Sequence, residues 1–266
     1  MRIYLNDGWM FTPDYQEEMS HLPMTAQQGS PVRLPHAVAQ TPATCFDAKT
    51  YQTVSCYQRM LASEPTWEGK SLRLTFEAAG HFAQVFLNGE LLCEHRCGYT
   101  AFTADLTGKL TLPDNLLTVR LDSRESLNQP PFGNVIDYMT YGGIYRDVYL
   151  EVKNSIYIED IFLKPKFAET VTTKGMDAKA IAQMQVSGIL ASEVTYSVKA
   201  QEAISAGQVG IRQIVDDQVV LEAPIATTSF STPVADVMLW DIESPKVYEV
   251  TTQLLYQGQV VDEKRV

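Results

Sequence analysis

Cysteine is scarce: Cys45, Cys56, Cys93 and Cys97 are the four in a chain of 266 residues. A core of this size needs no covalent staples, so the disulfide framework of small secreted domains is excluded and free thiols are expected. Clusters of positive charge are missing as well. The 21 Lys and Arg are dispersed against 32 Asp and Glu, for a net charge of −11, which argues against nucleic acid and anionic membrane as partners and for a neutral one. No apolar run approaches the ~20 residues of a membrane span. Residues 1–5 lack the basic start and apolar core of a secretory leader, so a cytoplasmic location is expected. No glycine-rich loop joins a strand to a helix in the manner of a phosphate cradle. The four histidines, His21, His36, His81 and His95, have no Gly-x-Ser-x-Gly elbow to serve. An independent hydrolytic site is not expected, and neither is a cofactor.

One spacing suggests a metal, Cys93-Glu-His95-Arg-Cys97, whose alternation puts three ligand types on one face of a strand. Same-face neighbours lie ~6 to 7 Å apart along a strand, too far to converge on one zinc without a bend. Core thiols beside a polar histidine are expected instead, and no metal site.

The dominant period is two. Leu72, Leu74 and Phe76 alternate with Arg73, Thr75 and Glu77; Leu117, Val119 and Leu121 with Thr118, Arg120 and Asp122; Val148, Leu150 and Val152 with Asp147, Tyr149 and Glu151. Half-buried strands follow from this. Between apolar runs at 82–87 and 90–92 sits Asn88-Gly89, a pair that tolerates positive φ at both centres of a tight hairpin. Beyond Asn154 the texture changes. Short strands are expected at 157–163, 182–190, 194–199, 209–214, 218–222 and 247–256, spaced as in a sandwich. Domains at 1–154 and 155–266 are therefore expected, all-β throughout, and charge does not mark the boundary. Residues 176–186 read as turn plus strand rather than helix. Two long irregular stretches, 12–31 and 124–141, interrupt the first domain, and long loops on a rigid sheet are where binding residues tend to lie.

The most specific segment is Asp137-Tyr-Met-Thr-Tyr-Gly-Gly-Ile-Tyr-Arg-Asp-Val-Tyr-Leu150: an acid on a loop, two glycines that let the backbone pass closely, then an alternating strand. With Val32-Arg-Leu-Pro-His36, Tyr57-Gln-Arg59, Leu72-Arg-Leu-Thr-Phe-Glu77, Val85-Phe-Leu-Asn-Gly89 and His95-Arg-Cys-Gly-Tyr-Thr-Ala-Phe102, in that order, it resembles the amino-terminal sugar-binding domain of family 2 glycoside hydrolases. Trp240-Asp-Ile-Glu-Ser-Pro-Lys-Val-Tyr248 resembles the signature near the end of the family's immunoglobulin-like second domain, with Val247 where Leu is usual. The resemblance implies a jelly-roll β-sandwich followed by an immunoglobulin-like β-sandwich. It also implies that the catalytic work belongs to a (β/α)₈ barrel following residue 266 and absent here, so that this chain alone does not cleave glycosides. A retaining glycosidase needs two carboxyl groups ~5 to 5.5 Å apart on a scaffold that fixes both, and no strand–helix alternation begins in this sequence.

The resemblance implies a β-galactosidase as parent, with β-glucuronidase and β-mannosidase as rivals; a free-standing carbohydrate-binding module and an adhesion scaffold are the alternatives outside the enzymes. It places Asp137 against sugar hydroxyls, which suits a carboxylate because it accepts from two at once. Thr53 stands where galactosidases of the family use an asparagine, leaving one hydroxyl to donate, or simply a β-branched strand residue. Tyr138, Tyr141 and Tyr145 form an aromatic cluster suited equally to stacking on a sugar or to packing. Arg59 and Arg146 are expected to pair structurally, His36 to fix a loop, and Trp9, Trp67 and Trp240 to pack in core or rim. The expected partners are a β-galactoside and the barrel, with homo-oligomers through the apolar surface that the barrel would cover.

Overall fold

The computed structural model describes the chain apart from residues 42, 45–46, 112, 127, 129–131, 133–139, 169–171, 173, 178–179 and 181–183. Two compact units divide it, Met1–Val152 and Lys153–Val266.

Unit 1 is a jelly-roll sandwich. Its smaller sheet runs β1 (Arg2–Tyr4), β10 (Val148–Lys153), β5 (Ser71–Phe76), β8 (Phe102–Asp105). The larger runs β3 (Ser30–Val32), β2 (Trp9–Thr12), β4 (Val54–Ala62), β9 (Asp114–Asp122), β6 (Phe82–Leu87), β7 (Glu90–Arg96). The alternating residues meet between them: Leu74, Phe76, Leu117, Val119, Leu121, Val148 and Leu150 are wholly buried. β6 and β7 form the expected hairpin, with Asn88 at φ 51° and Gly89 at φ 90°.

The outer face of the larger sheet departs from expectation, because Thr118 and Gln58 on β9 and β4 are buried too. The irregular stretch after β2 is the cause. It contains a 3₁₀ turn, Glu17–Ser20, and lies over this face, tied down by side chains. Gln58 Nε2 donates to the carbonyls of Met19 (2.6 Å) and Leu22 (2.9 Å), its Oε1 accepts from Met24 N (2.6 Å), and Thr118 Oγ1 donates to Met19 O (3.1 Å). A strand that is amphipathic by period is thereby covered on both faces. Gln58→Leu keeps the volume but leaves Leu22 O and Met24 N without their side-chain partner and Met19 O with Thr118 alone, so a loss of about 2 to 3 kcal/mol is expected in urea unfolding. A loss under about 1 kcal/mol would mean that water replaces the amide without cost.

Unit 2 pairs β11 (Ile158–Phe167), β12 (Gln185–Tyr196) and β15 (Ser229–Met238) in one sheet, and β14 (Gln218–Pro224), β13 (Val209–Val215), β16 (Val250–Tyr256) and β17 (Gln259–Arg265) in the other. These three- and four-stranded sheets make an immunoglobulin-like sandwich. Ile158, Val194, Val209, Ile211 and Leu254 form its core. A polar fastening crosses that core: Gln213 is fully buried, its Nε2 donates to Ser192 Oγ (2.8 Å), and its Oε1 accepts from Thr232 Oγ1 (2.7 Å).

The strand expected at 194–199 is corrected. Residues 194–196 end the continuous β12, and Val198–Ser205 is a helix, α1. Ser197 caps it, its Oγ accepting from Ala200 N (3.2 Å) while donating to Ser155 O (2.9 Å), and Ala200 and Ala203 are the buried side. β15 is a further strand that the sequence reading passed over. Residues 178–179 and 181–183, part of the segment read as turn plus strand, lie outside the described residues. Trp9 and Trp67 are core residues of unit 1, whereas Trp240 is 62% exposed, together with Ile242 and Val247 of the same segment. Beside them, between the sheets, opens a cleft of about 680 Å³ lined by Leu163, Leu190, Val215, Val234, Tyr248 and Val250.

Candidate functional site

The two glycines of the most specific motif organise one end of unit 1. Gly143 has φ 132°, and a Cβ there would overlap the His36 carbonyl oxygen and lie 2.9 Å from Ala37 Cα; a Cβ on Gly142 would overlap the Ser123 side chain. Absence of side chains lets the backbone thread between two neighbours. Hydrogen bonds then hold it on both sides: Val38 N donates to Gly142 O (3.0 Å), His36 N to Ile144 O (2.8 Å) and Gly80 N to Gly143 O (3.0 Å).

Ser123, at the end of β9, is the hub. Its Oγ donates to the carbonyls of Tyr51 (2.6 Å) and Thr53 (3.0 Å), and its N donates to Thr53 O (2.9 Å). Thr53 is half-buried beside it, and its hydroxyl donates to Pro13 O. The proton expected for a ligand is thus already used within the chain. Tyr51 is buried and packs edge-on to Tyr141, with ring centroids 5.1 Å apart at 70°. Tyr141 keeps 48% of its surface exposed, while the Tyr145 hydroxyl donates to Gly98 O. Of the aromatic cluster, then, Tyr141 offers a ring to solvent and Tyr145 packs. Asp137 and Tyr138 lie outside the described residues.

The remaining candidates take structural roles. His36 Nδ1 meets Tyr57 OH at 2.9 Å and its ring packs on Phe11, with burial holding its pKa below the ordinary value. Arg59 donates to Asp7 O, and Arg146 lies over the Tyr145 ring. His95 stacks on Phe102 (4.5 Å, 15°) with Nε2 2.9 Å from Thr100 Oγ1, and Cys93 is partly buried. Among the described residues no group of three His, Cys, Asp or Glu is arranged to hold a metal ion.

Two carboxylates at this end were not foreseen. Asp122 accepts from Arg124 through Nε (2.9 Å) and an Nη (2.6 Å); burial resists its ionisation, but the hydrogen bonds and charge of Arg124 outweigh burial and hold its pKa low. Glu125 accepts from Thr140 Oγ1 at 2.6 Å. Both are engaged by neighbours, an arrangement that fixes a loop rather than one that shuttles protons. His81, 2% exposed, has neither ring nitrogen hydrogen-bonded, and its backbone N donates to Asp122 O (3.1 Å). A lone histidine at the bend just before β6 carries no pattern that would have singled it out.

The sequence profile described as glycosyl hydrolases family 2, sugar binding domain, matches residues 25–154, and that described as glycosyl hydrolases family 2 matches residues 156–266. The chain belongs to glycosyl hydrolase family 2. Among family members, a β-galactosidase of Thermoanaerobacter pseudethanolicus is 27% identical over 98% of this chain and 34% of its own length. A β-glucuronidase of Bacteroides fragilis is 32% identical over 60% of this chain and 22% of its own length. The family fold is also seen in a β-glucuronidase of Bifidobacterium dentium solved with coumarin-3-O-glucuronide, which superposes on the whole chain and 47% of its own with a TM-score of 0.78 at 22% identity. This chain spans about a third of the length of the β-galactosidases it matches.

Proposed function

We propose that this chain is the non-catalytic amino-terminal part of a family 2 enzyme that hydrolyses terminal β-galactosides. Unit 1 lends a wall to a substrate cleft, and unit 2 is a spacer to a carboxy-terminal (β/α)₈ barrel that carries the reacting glutamates. Coverage carries the reading: the β-galactosidase alignment runs along 98% of this chain yet takes up 34% of that enzyme. The engaged state of Asp122 and Glu125 supports it, since neither is free to act in a pair of catalytic carboxyls.

In this reading Asp137 accepts hydrogen bonds from two sugar hydroxyls, Tyr138 and Tyr141 offer ring faces, and Thr53 contributes its hydroxyl oxygen as an acceptor because its proton goes to Pro13. The exposed Trp240, Ile242 and Val247 support a docked barrel, and in the isolated chain they favour homo-oligomers. Cys56, Cys93 and Cys97 are free thiols, and burial pushes the Cys56 thiol up to about 12; a cytoplasmic location is part of this proposal. The B. fragilis relative supports a second reading, with a β-glucuronide as substrate.

Assay of the full-length gene product on the nitrophenyl β-galactoside, β-glucuronide and β-mannoside separates these. Cleavage of the galactoside is expected, with no release by residues 1–266 alone. Cleavage of the glucuronide only would favour the second reading; cleavage of none, or turnover by the 266-residue chain, would remove the proposal.

A further inference from the structure

Thr53 and Tyr141 come from distant parts of the sequence and meet at one residue, Ser123. Its Oγ donates to the carbonyls of Tyr51 (2.6 Å) and Thr53 (3.0 Å). A Cβ on Gly142 would lie 2.4 Å from Ser123 Cβ and 3.2 Å from Tyr51 O, so the backbone just after Tyr141 runs against the same group. On another side, a Cβ on Gly80 would stand 3.1 Å from the Tyr141 carbonyl oxygen. The Tyr141 side chain is held as well. Tyr51 is buried, its hydroxyl is tied to that of Thr41, and its ring centroid lies 5.1 Å from that of Tyr141 at 70°. A pair of this geometry fixes the tilt of one ring against the other. It covers no more than one face of Tyr141, whose surface stays nearly half exposed.

We propose that Tyr141 is a specificity-determining platform for the galactosyl ring and that Tyr51 is its positioning residue, with Ser123 as the peg that fixes both backbones. Both roles rest on the galactoside reading above, and they name the part of the sugar that unit 1 recognises. An aromatic ring presents a negative face, and the hydrogens of C–H bonds carry slight positive charge. In a β-galactoside the axial O4 leaves the hydrogens on C3, C4 and C5 on one side of the sugar, a patch that matches a six-membered ring. An equatorial O4, as in a glucuronide, splits those hydrogens between the two sides. A ring already held in one orientation loses little rotamer freedom when the sugar arrives, and so returns more of the contact as affinity. Such stacking is made alike in the bound substrate and in the transition state, so its loss falls on KM rather than on kcat.

Steady-state kinetics of the full-length gene product test both roles. Tyr141→Ala is expected to raise KM about tenfold on nitrophenyl β-galactoside and on methyl β-galactoside alike, with kcat changed by less than about twofold. Tyr141→Phe keeps the ring and should bring KM back to within about twofold of the parent. Tyr51→Leu removes the ring that sets the tilt, and a rise in KM of about fivefold is expected. That rise should disappear when residue 141 is already alanine, because Tyr51 acts on the sugar only through Tyr141; a merely structural role would add its full loss in the double variant. Should Tyr51→Leu fail to fold, Tyr51→Phe, which lacks only the tie to Thr41, takes its place, with a rise of about threefold and the same non-additivity. Three results overturn the proposal: a KM for Tyr141→Ala within about twofold of the parent, a loss confined to the nitrophenyl substrate, or additive effects at 51 and 141. Any of these, with the parent still cleaving the galactoside, leaves the substrate reading standing. No cleavage by the parent ends that reading and this one together.

Discussion

Replacing Gly143 with alanine is expected to unfold unit 1 or to cost it more than about 4 kcal/mol, the range of mutations that combine backbone strain with overlap. Both causes are present. The φ of 132° is a conformation that L residues rarely adopt, and the added methyl would overlap the His36 carbonyl oxygen. The neighbours have little freedom to give way: His36 is held through its own N to Ile144 O and through its ring to Tyr57, and Val38 N is bonded to Gly142 O. Urea unfolding followed by tryptophan fluorescence suits the test, because Trp9 and Trp67 are buried in unit 1 while the tryptophan of unit 2, Trp240, is exposed. The variant should lose the early part of the curve or shift it far toward low urea. A shift of under about 1 kcal/mol would show that the 36–38 segment moves aside easily, and that the glycine is there for some other reason.

On the proposed function, Asp137→Ala in the full-length enzyme is expected to lower kcat/KM on the galactoside roughly 100- to 1,000-fold, the loss of the two charge-assisted hydrogen bonds which that proposal assigns to it. If the acid serves the sugar rather than the fold, its unfolding midpoint should stay within about a degree. The two readouts together distinguish a sugar contact from a structural acid. A kcat/KM within threefold of the parent removes Asp137 from the site, and a large drop in midpoint assigns it to the fold.

Much of the sandwich architecture was legible because strands buried on one face advertise themselves by alternation, as 72–77, 117–122 and 148–152 do. Asn88-Gly89 announced its hairpin through backbone chemistry alone. What escaped did so for identifiable reasons. Val194, Tyr196 and Val198 continue an alternating pattern across the point where Ser197 caps α1, so period gave no warning of a helix of eight residues. β15 carries Pro233 and mixed polar residues and pairs along one edge with β12 only. The segment over Gln58 is built from local turns and side-chain tethers, which leave no periodic trace. At the site, the glycine pair was readable as close backbone passage, but its partners, Ser123 and His36, come from distant sequence. Thr53 was identified by position in a motif, and its commitment to Pro13 is a tertiary fact no motif encodes. His81 and the Glu125–Thr140 tie depend on which loops converge at the end of β9, which spacing along the chain does not record.

The hydrogen-bonded fastening through Gln213 has a consequence for how unit 2 can be handled. All four cysteines lie before residue 100, so no disulfide joins the two sheets of that sandwich, which are held by their apolar core and by the amide and hydroxyl groups of that fastening. Its stability should be indifferent to dithiothreitol or glutathione, and its folding should require neither an oxidant nor an isomerase that reshuffles thiols.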